Sequence, residues 1–159
     1  MGESRSVGID FDVTAYPVDA IKLTLGGQAG RSTFINSRDP NSGADYDGKR
    51  LPYAPDYTLN AASEYLVPQT MLPGALSLRG AGRYFSRSYF DPANKLKQGG
   101  YPLFDLSVDL TLDNGLNLSL FADNVADRVY RTYSFDSGAG IYSSVGEGRV
   151  VGLRGAMTF

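Results

Sequence analysis

Between Phe104 and Leu112 every second residue is apolar: Phe104, Leu106, Val108, Leu110 and Leu112 alternate with Asp105, Ser107, Asp109 and Thr111. Strict alternation puts the two sets on opposite faces of an extended strand. The same period of two returns about seven times along the chain, and no run of 18 apolar residues occurs. A helical membrane span is therefore excluded, and antiparallel strands with one apolar and one polar side are expected.

The stretch SVGIDFDVTAY sets Val7, Ile9, Phe11, Val13 and Ala15 against Asp10, Asp12 and Thr14. A PVDA turn leads into IKLTLGGQAG, where Ile21, Leu23 and Leu25 oppose Lys22, Thr24 and Gln28. DYTLNAASEYL places Tyr57, Leu59, Ala61 and Tyr65 against Thr58, Asn60 and Glu64. In ALSLRGAGRYFSR, Leu76, Leu78 and Tyr84 oppose Arg79, Arg83 and Arg87. After the hairpin signal DNG comes LNLSLFA, and GRVVGLRGAMTF ends the sequence. There Val151, Leu153, Gly155, Met157 and Phe159 share a face opposite Val150, Gly152, Arg154, Ala156 and Thr158.

Connections alternate in length. Pro17–Ala20, Val67–Gly74 and Asp113–Gly115 are short; Asn36–Arg50, Ser88–Gly100 and Ala126–Glu147 are long and rich in Gly, Asp, Asn, Pro or Ser. Short turns on one rim and long loops on the other suit an outer-membrane barrel, and strands of about 9–11 residues suit its span. Tyr16, Tyr57, Tyr65, Tyr84, Phe104 and Phe159 fall near strand ends, where interfacial aromatic belts lie. Alternation by itself also fits a soluble β-barrel with Leu and Val turned inward around an apolar ligand. A small self-contained barrel acting as an anchor or pore is a further alternative.

Composition narrows the chemistry. The 159 residues contain no Cys and no His, which removes disulfides, thiolate metal sites and the imidazole of a Ser–His–Asp triad. No catalytic set, resident metal or cofactor is expected. A net charge of −2 argues against a nucleic-acid partner. The start, MGESRSVGID, lacks the apolar core of a secretory signal.

Four stretches together resemble the C-terminal β-barrel portion of a TonB-dependent outer-membrane receptor of the siderophore type. RSVGIDFDVTAYPVDAIKLTLGGQ is similar to the family's strand, short Pro turn and return strand, and GKRLPYAPDYTLNAASEY resembles its Gly-x-x-Leu-x-x-x-Pro approach to a strand. LNLSLFADNVADRVY resembles the penultimate strand with its following Asn-[apolar]-x-Asp-x-x-Tyr, here Asn124, Val125, Asp127 and Tyr130; Ala126 stands where the family carries Phe. GRVVGLRGAMTF resembles the last strand. The resemblance implies a partial transmembrane barrel over 1–159 with no plug domain, in the outer membrane of a Gram-negative bacterium. It implies uptake of iron–siderophore-type ligands and no enzymatic reaction. Implied partners are outer-membrane lipid, the barrel-assembly machinery, a metal-chelate ligand, and the TonB complex through a plug this chain lacks. Against a barrel of about 22 strands, seven read as a fragment.

Candidate sites carry alternatives. Arg79, Arg83, Arg87 and Arg154 form either a lumenal ladder guiding an anionic chelate or a set paired with lumenal Glu64, Asp10, Asp12, Asp105 and Asp109 or with a plug. Tyr130, Tyr133, Phe135 and Tyr142, in the last long loop, stack on a flat ligand or complete the outer girdle. The resemblance makes Phe159 the signal read during membrane assembly; the alternative is a buried core Phe. Asp39, Asp45 and Asp47 miss calcium-loop spacing, and Gly26 to Thr33 lacks the spacing, Lys and helix of a phosphate-binding loop.

Overall fold

The computed structural model describes residues 2–68 and 73–158, and every regular element among them is a strand. In chain order these are β1 (Glu3–Val18), β2 (Ile21–Ile35), β3 (Tyr57–Val67), β4 (Gly74–Phe85), β5 (Ser88–Tyr89), β6 (Lys97–Gln98), β7 (Tyr101–Leu112), β8 (Leu116–Asp123), β9 (Arg131–Asp136), β10 (Ile141–Val145) and β11 (Val150–Met157). Seven of them build one sheet in the order β1-β2-β3-β4-β7-β8-β11. All neighbours in it are antiparallel. The sheet is open, with β1 and β11 as its edges. β5–β6 and β9–β10 are small hairpins inside the connections.

Register carries the alternation from strand to strand. Phe11 opposes Gly27, Gly27 opposes Leu59, and Leu59 opposes Tyr84. Further along, Leu78 opposes Val108, Val108 opposes Leu120, and Leu120 opposes Leu153. Opposed residues share a face, so the apolar sets merge into one surface. A methyl group at Gly27 would meet Leu59 and Phe11, which is why β2 is bare there and its neighbours lean over it.

Among the described residues nothing covers this apolar surface. Ile9 is 73% exposed and Leu153 74%. The buried apolar side chains among the described residues are Phe90 and Leu103, neither of which lies on it. A soluble sheet would cover such a face, since burial is worth about 25 cal/mol per Å². Stacked Tyr57 and Tyr84, ring centroids 5.8 Å apart, edge the surface on the long-loop side, and Tyr65, opposite Ile21, edges it on the turn side. The eight steps from Tyr57 to Tyr65 rise about 26 Å along β3. Barrel tilt reduces that to about 20 Å of height, near the apolar band of an outer-membrane wall.

Several boundaries move. β1 continues through Pro17 and Val18, so the first turn shrinks to Asp19–Ala20. Its register shifts between Ala15 and Val18, where Pro17 has no N–H to offer the ladder. β2 runs on to Ile35, and the first long connection spans 36–56 instead of ending at Arg50. The Ala126–Glu147 connection is not a plain loop, since it contains β9 and β10. Arg87 is not on β4, which stops at Phe85. Ser86 ends the pairing by donating its N–H to the Tyr57 carbonyl while its Oγ accepts the Tyr57 N–H, both at 3.0 Å. The Val67–Gly74 turn lies partly outside the described residues, and Phe159 lies outside them.

Candidate functional site

The other face of the sheet carries most of the charge. One cavity of about 560 Å³ on it reaches from Lys22 on β2 to Arg154 on β11, so the sheet curls around its polar side. Arg79 pairs with Glu64 at 2.9 Å and stands 3.9 Å from Asp109. Arg83 pairs with Asp105 at 2.8 Å. These partners sit on adjacent strands and on one face, Arg79 directly opposite Glu64 and Arg83 diagonal to Asp105, which itself faces Ala81, so the sequence alternation brings both pairs within reach. Of the four arginines expected in a ladder, two are thus neutralised within the wall. Arg87 lies beyond the strand, and Arg154 makes no ion pair among the described residues; its guanidinium lies over the Phe121 ring at 5.2 Å. Asp10 and Asp12, on the polar side of edge strand β1, form no ion pair among the described residues.

A buried asparagine organises the exit from this wall. Asn124 has a positive φ of 47° and is 6% exposed. Its N–H donates to Asp105 Oδ1 at 2.9 Å, and its Nδ2 donates to the carbonyls of Arg128 and Glu147, each at 3.0 Å. Its Oδ1 accepts the Arg128 N–H at 2.9 Å. Asp127, also at positive φ, accepts the Arg149 N–H at 2.9 Å. The Asn-x-x-Asp spacing thus joins the end of β8 to the start of β11 across the hairpin between them. Tyr130 completes the motif by stacking on Tyr101, centroids 4.6 Å apart, and Tyr101 stacks on Phe85 at 5.2 Å. Gly146 has no side chain because the Tyr130 ring occupies that space.

The three long connections are stitched together above the sheet. Asn94 Oδ1 accepts the Arg50 N–H at 2.8 Å, and its Nδ2 donates to the Arg50 carbonyl at 2.9 Å. Lys49 Nζ donates to the Ala93 carbonyl at 3.0 Å, and the Tyr53 N–H donates to the Tyr89 carbonyl at 2.8 Å. Gln98 Oε1 accepts the Arg131 N–H at 2.8 Å, tying in the last connection. Tyr53 lies edge-on to Phe90 and parallel to Tyr133, with centroids 6.5 Å apart in the second case. Burial, and then the neighbouring Tyr133, push the Tyr53 phenol above its ordinary pKa.

The expected loop aromatics separate into two groups. Tyr133, Phe135 and Tyr142 form a half-exposed ladder on one face of the β9–β10 hairpin, with Phe135 and Tyr142 at 5.4 Å. Tyr130 belongs instead to the stack over Tyr101. Between these groups lies a pocket of about 480 Å³ whose walls include Tyr53, Phe85, Phe90 and Tyr101, with Gln28 and Arg131 as polar groups. Tyr53, Asn94 and Gln98 were not singled out by the sequence. The readable signal was DPANK, where Asp91 accepts the Lys95 and Leu96 N–H groups and presents Asn94.

The remaining motifs have structural roles. Asp39 accepts the N–H groups of Asn41 and Ser42 at 2.8 and 3.3 Å, which hold its carboxyl below the usual range. Asp45 accepts the Asp47 N–H, and Asp47 accepts the Asn36 N–H. Gly26 to Thr33 is continuous strand within β2. A second depression of about 680 Å³ lies on the apolar face, where Ala61, Gly80 and Gly82 leave space between Leu23, Phe104 and Leu106.

An uncovered apolar exterior, a polar and partly ion-paired interior, aromatic borders and unequal rims define a transmembrane β-barrel wall. The chain belongs to the TonB dependent receptor-like, beta-barrel family, whose model matches residues 1–125. It is 28% identical over 158 residues to the pesticin receptor of Yersinia pestis, covering 99% of this chain and 22% of the receptor. It is 27% identical over 140 residues to the ferrichrome outer membrane transporter/phage receptor of Escherichia coli K12, covering 86% of this chain and 18% of that protein. The crystal structure of the ferric yersiniabactin uptake receptor from Y. pestis superimposes with a TM-score of 0.87 at 28% identity, over 99% of this chain and 24% of the other. The chain thus spans about a fifth of the length of the curated relatives it matches. These relatives are receptors and transporters, not enzymes, and the chain is an outer-membrane protein of the Gram-negative type.

Proposed function

We propose that the chain supplies a seven-strand section of the wall, with its outer rim, of a TonB-dependent transporter for ferric siderophores. The observation that carries this reading is the match to the ferric yersiniabactin uptake receptor over 99% of the chain. Tyr133, Phe135 and Tyr142 meet the chelate from outside, and the pocket lined by Tyr53, Phe90 and Tyr101 receives its aromatic groups. Arg131 and Arg154 offer charge to an anionic chelate, Arg154 lower down the lumen, while Arg79 and Arg83 keep the wall in register. Arg87 stands clear of this path. Energy enters through TonB and a plug seated against the polar face. Phe159 is the residue by which the barrel-assembly machinery takes up the last strand.

The test is uptake of ⁵⁵Fe by iron-starved cells of the host, with the gene intact or deleted. Ferric chelates of phenolate, catecholate and hydroxamate type are supplied one at a time. Loss of TonB-dependent uptake of at least one aromatic chelate on deletion is expected. Unchanged uptake of all of them would overturn the reading.

A further inference from the structure

The outward face of the seven-stranded sheet carries two cations, and they are neighbours. Parity and register fix which side chains point outward: Val7, Ile9, Phe11 and Val13 on β1 share their face with Arg31, Ala29, Gly27 and Leu25 on β2. Arg5, two residues before Val7, falls on the same face opposite Thr33. Arg5 and Arg31 are therefore diagonal partners, about 7–8 Å apart along the sheet surface. No other Lys or Arg occupies an outward position on a described strand of this sheet.

Their height is equally specific. Ala29 opposes Tyr57, and Tyr57 stacks on Tyr84 in the aromatic border on the long-loop side. Arg31 lies one pleat beyond that border and Arg5 one pleat further. Aromatic belts mark the level of lipid headgroups, so both guanidinium groups sit at or just above that level on the extracellular rim. The turn-side rim has Ile21, Tyr65, Val67, Leu76, Leu112, Leu116 and Met157 in the corresponding positions, none of them cationic. Both arginines are exposed, and no ion pair engages either among the described residues. Glu3 follows on the same face beside Ile35 without pairing to them, and Arg50, the next cation along this rim, is neutralised by Asp56.

A cation on a lipid-facing surface is costly unless its head reaches a polar partner. Two adjacent guanidinium groups, confined to one rim, match a phosphate that accepts paired N–H donors from each. We propose that Arg5 and Arg31 form a binding site for the phosphorylated headgroup of an outer-leaflet glycolipid, whose acyl chains lie along Val7, Ile9 and Ala29. The site does not depend on which chelate the protein carries.

The test uses the protein extracted from outer membranes in mild detergent, stripped of lipid, and offered diphosphorylated lipid A or the same lipid dephosphorylated. Bound lipid is read by native mass spectrometry. The wild type is expected to retain the phosphorylated form at least tenfold better, and inorganic phosphate in excess is not expected to displace it. The double variant Arg5→Gln/Arg31→Gln is expected to lose that preference, and Arg5→Lys/Arg31→Lys to keep most of it. Equal retention of the two lipids by the wild type overturns the proposal, as does an unchanged preference in the Gln variant. Displacement by free phosphate would overturn the assignment to a lipid. Should the Gln variant fail to assemble, the wild-type comparison alone decides.

Discussion

Asp105 and Asn124 are joined by a 2.9 Å hydrogen bond from the Asn124 N–H to Asp105 Oδ1, while Asp105 Oδ2 holds Arg83 at 2.8 Å. One carboxylate thus connects the wall's ion pairs to the clamp that positions the last strand. Asp105→Ala is expected to cost more than Arg83→Ala. The first leaves a buried N–H unpaired, worth about 1–3 kcal/mol; the second removes a half-exposed pair worth at most about 1 kcal/mol. Urea unfolding in detergent micelles measures the difference.

Asn124→Ala is expected to destabilise by about 2–3 kcal/mol, because it strips hydrogen bonds from the Arg128 and Glu147 carbonyls and from the Arg128 N–H. Asn124→Gly tolerates the positive φ and should lose nearly as much. Protection of β8 and β11 amides from hydrogen exchange should fall in both. Equal protection in wild type and variants would show that the clamp does not hold these strands.

Ile9 and Leu153 are the most exposed of the large apolar side chains among the described residues, so in water their replacement by Arg would be almost neutral. On a lipid-facing wall each change is expected to cost up to about 2–4 kcal/mol, the more so nearer the midplane. An inward control, Ser119→Arg, should cost much less. Folding equilibria in lipid vesicles separate the two faces.

Asn94→Ala should loosen two connections together. The Arg50 N–H and carbonyl both depend on Asn94, so exchange should accelerate around Arg50 as well as around residues 91–96. Faster exchange restricted to 91–96 would mean that the connections move separately.

Acid should open the turn at Asp39. The N–H groups of Asn41 and Ser42 lower the folded-state pKa of Asp39. Its contribution is therefore complete above the unfolded value of about 3.9 and is lost as pH falls through the lower folded value. Amide exchange at Asn41 and Ser42, compared with Asp39→Asn across that window, is the readout; the Asn variant should show no such step.

The wall was legible because period two survives burial in lipid as well as in protein. Phe104 to Leu112 and Val151 to Met157 announce their faces with no help from neighbours. The hairpins within the connections were not, since Arg131–Asp136 and Ile141–Val145 are short and mix Ser with aromatics, and they are braced by Tyr53 and Gln98 from other connections. Arg87 was misplaced for a related reason: the every-fourth-residue pattern continued past Phe85, while the chain left the sheet at Ser86 through a hydrogen bond invisible in sequence. Asn124 and Asp127 could be recognised as a motif, but their work of joining β8 to β11 depends on backbone groups that carry no sequence signature.

The bonds from Asn94 to Arg50, from Tyr53 to Tyr89 and from Gln98 to Arg131 have a consequence for inheritance. A rim built from three separate flaps could change one at a time as ligands changed. Here, a segment exchanged between related genes brings in a partner that its neighbours do not fit. The three connections should therefore be passed on as one block, with new specificities arising from single side-chain changes on the aromatic ladder in preference to swapped segments.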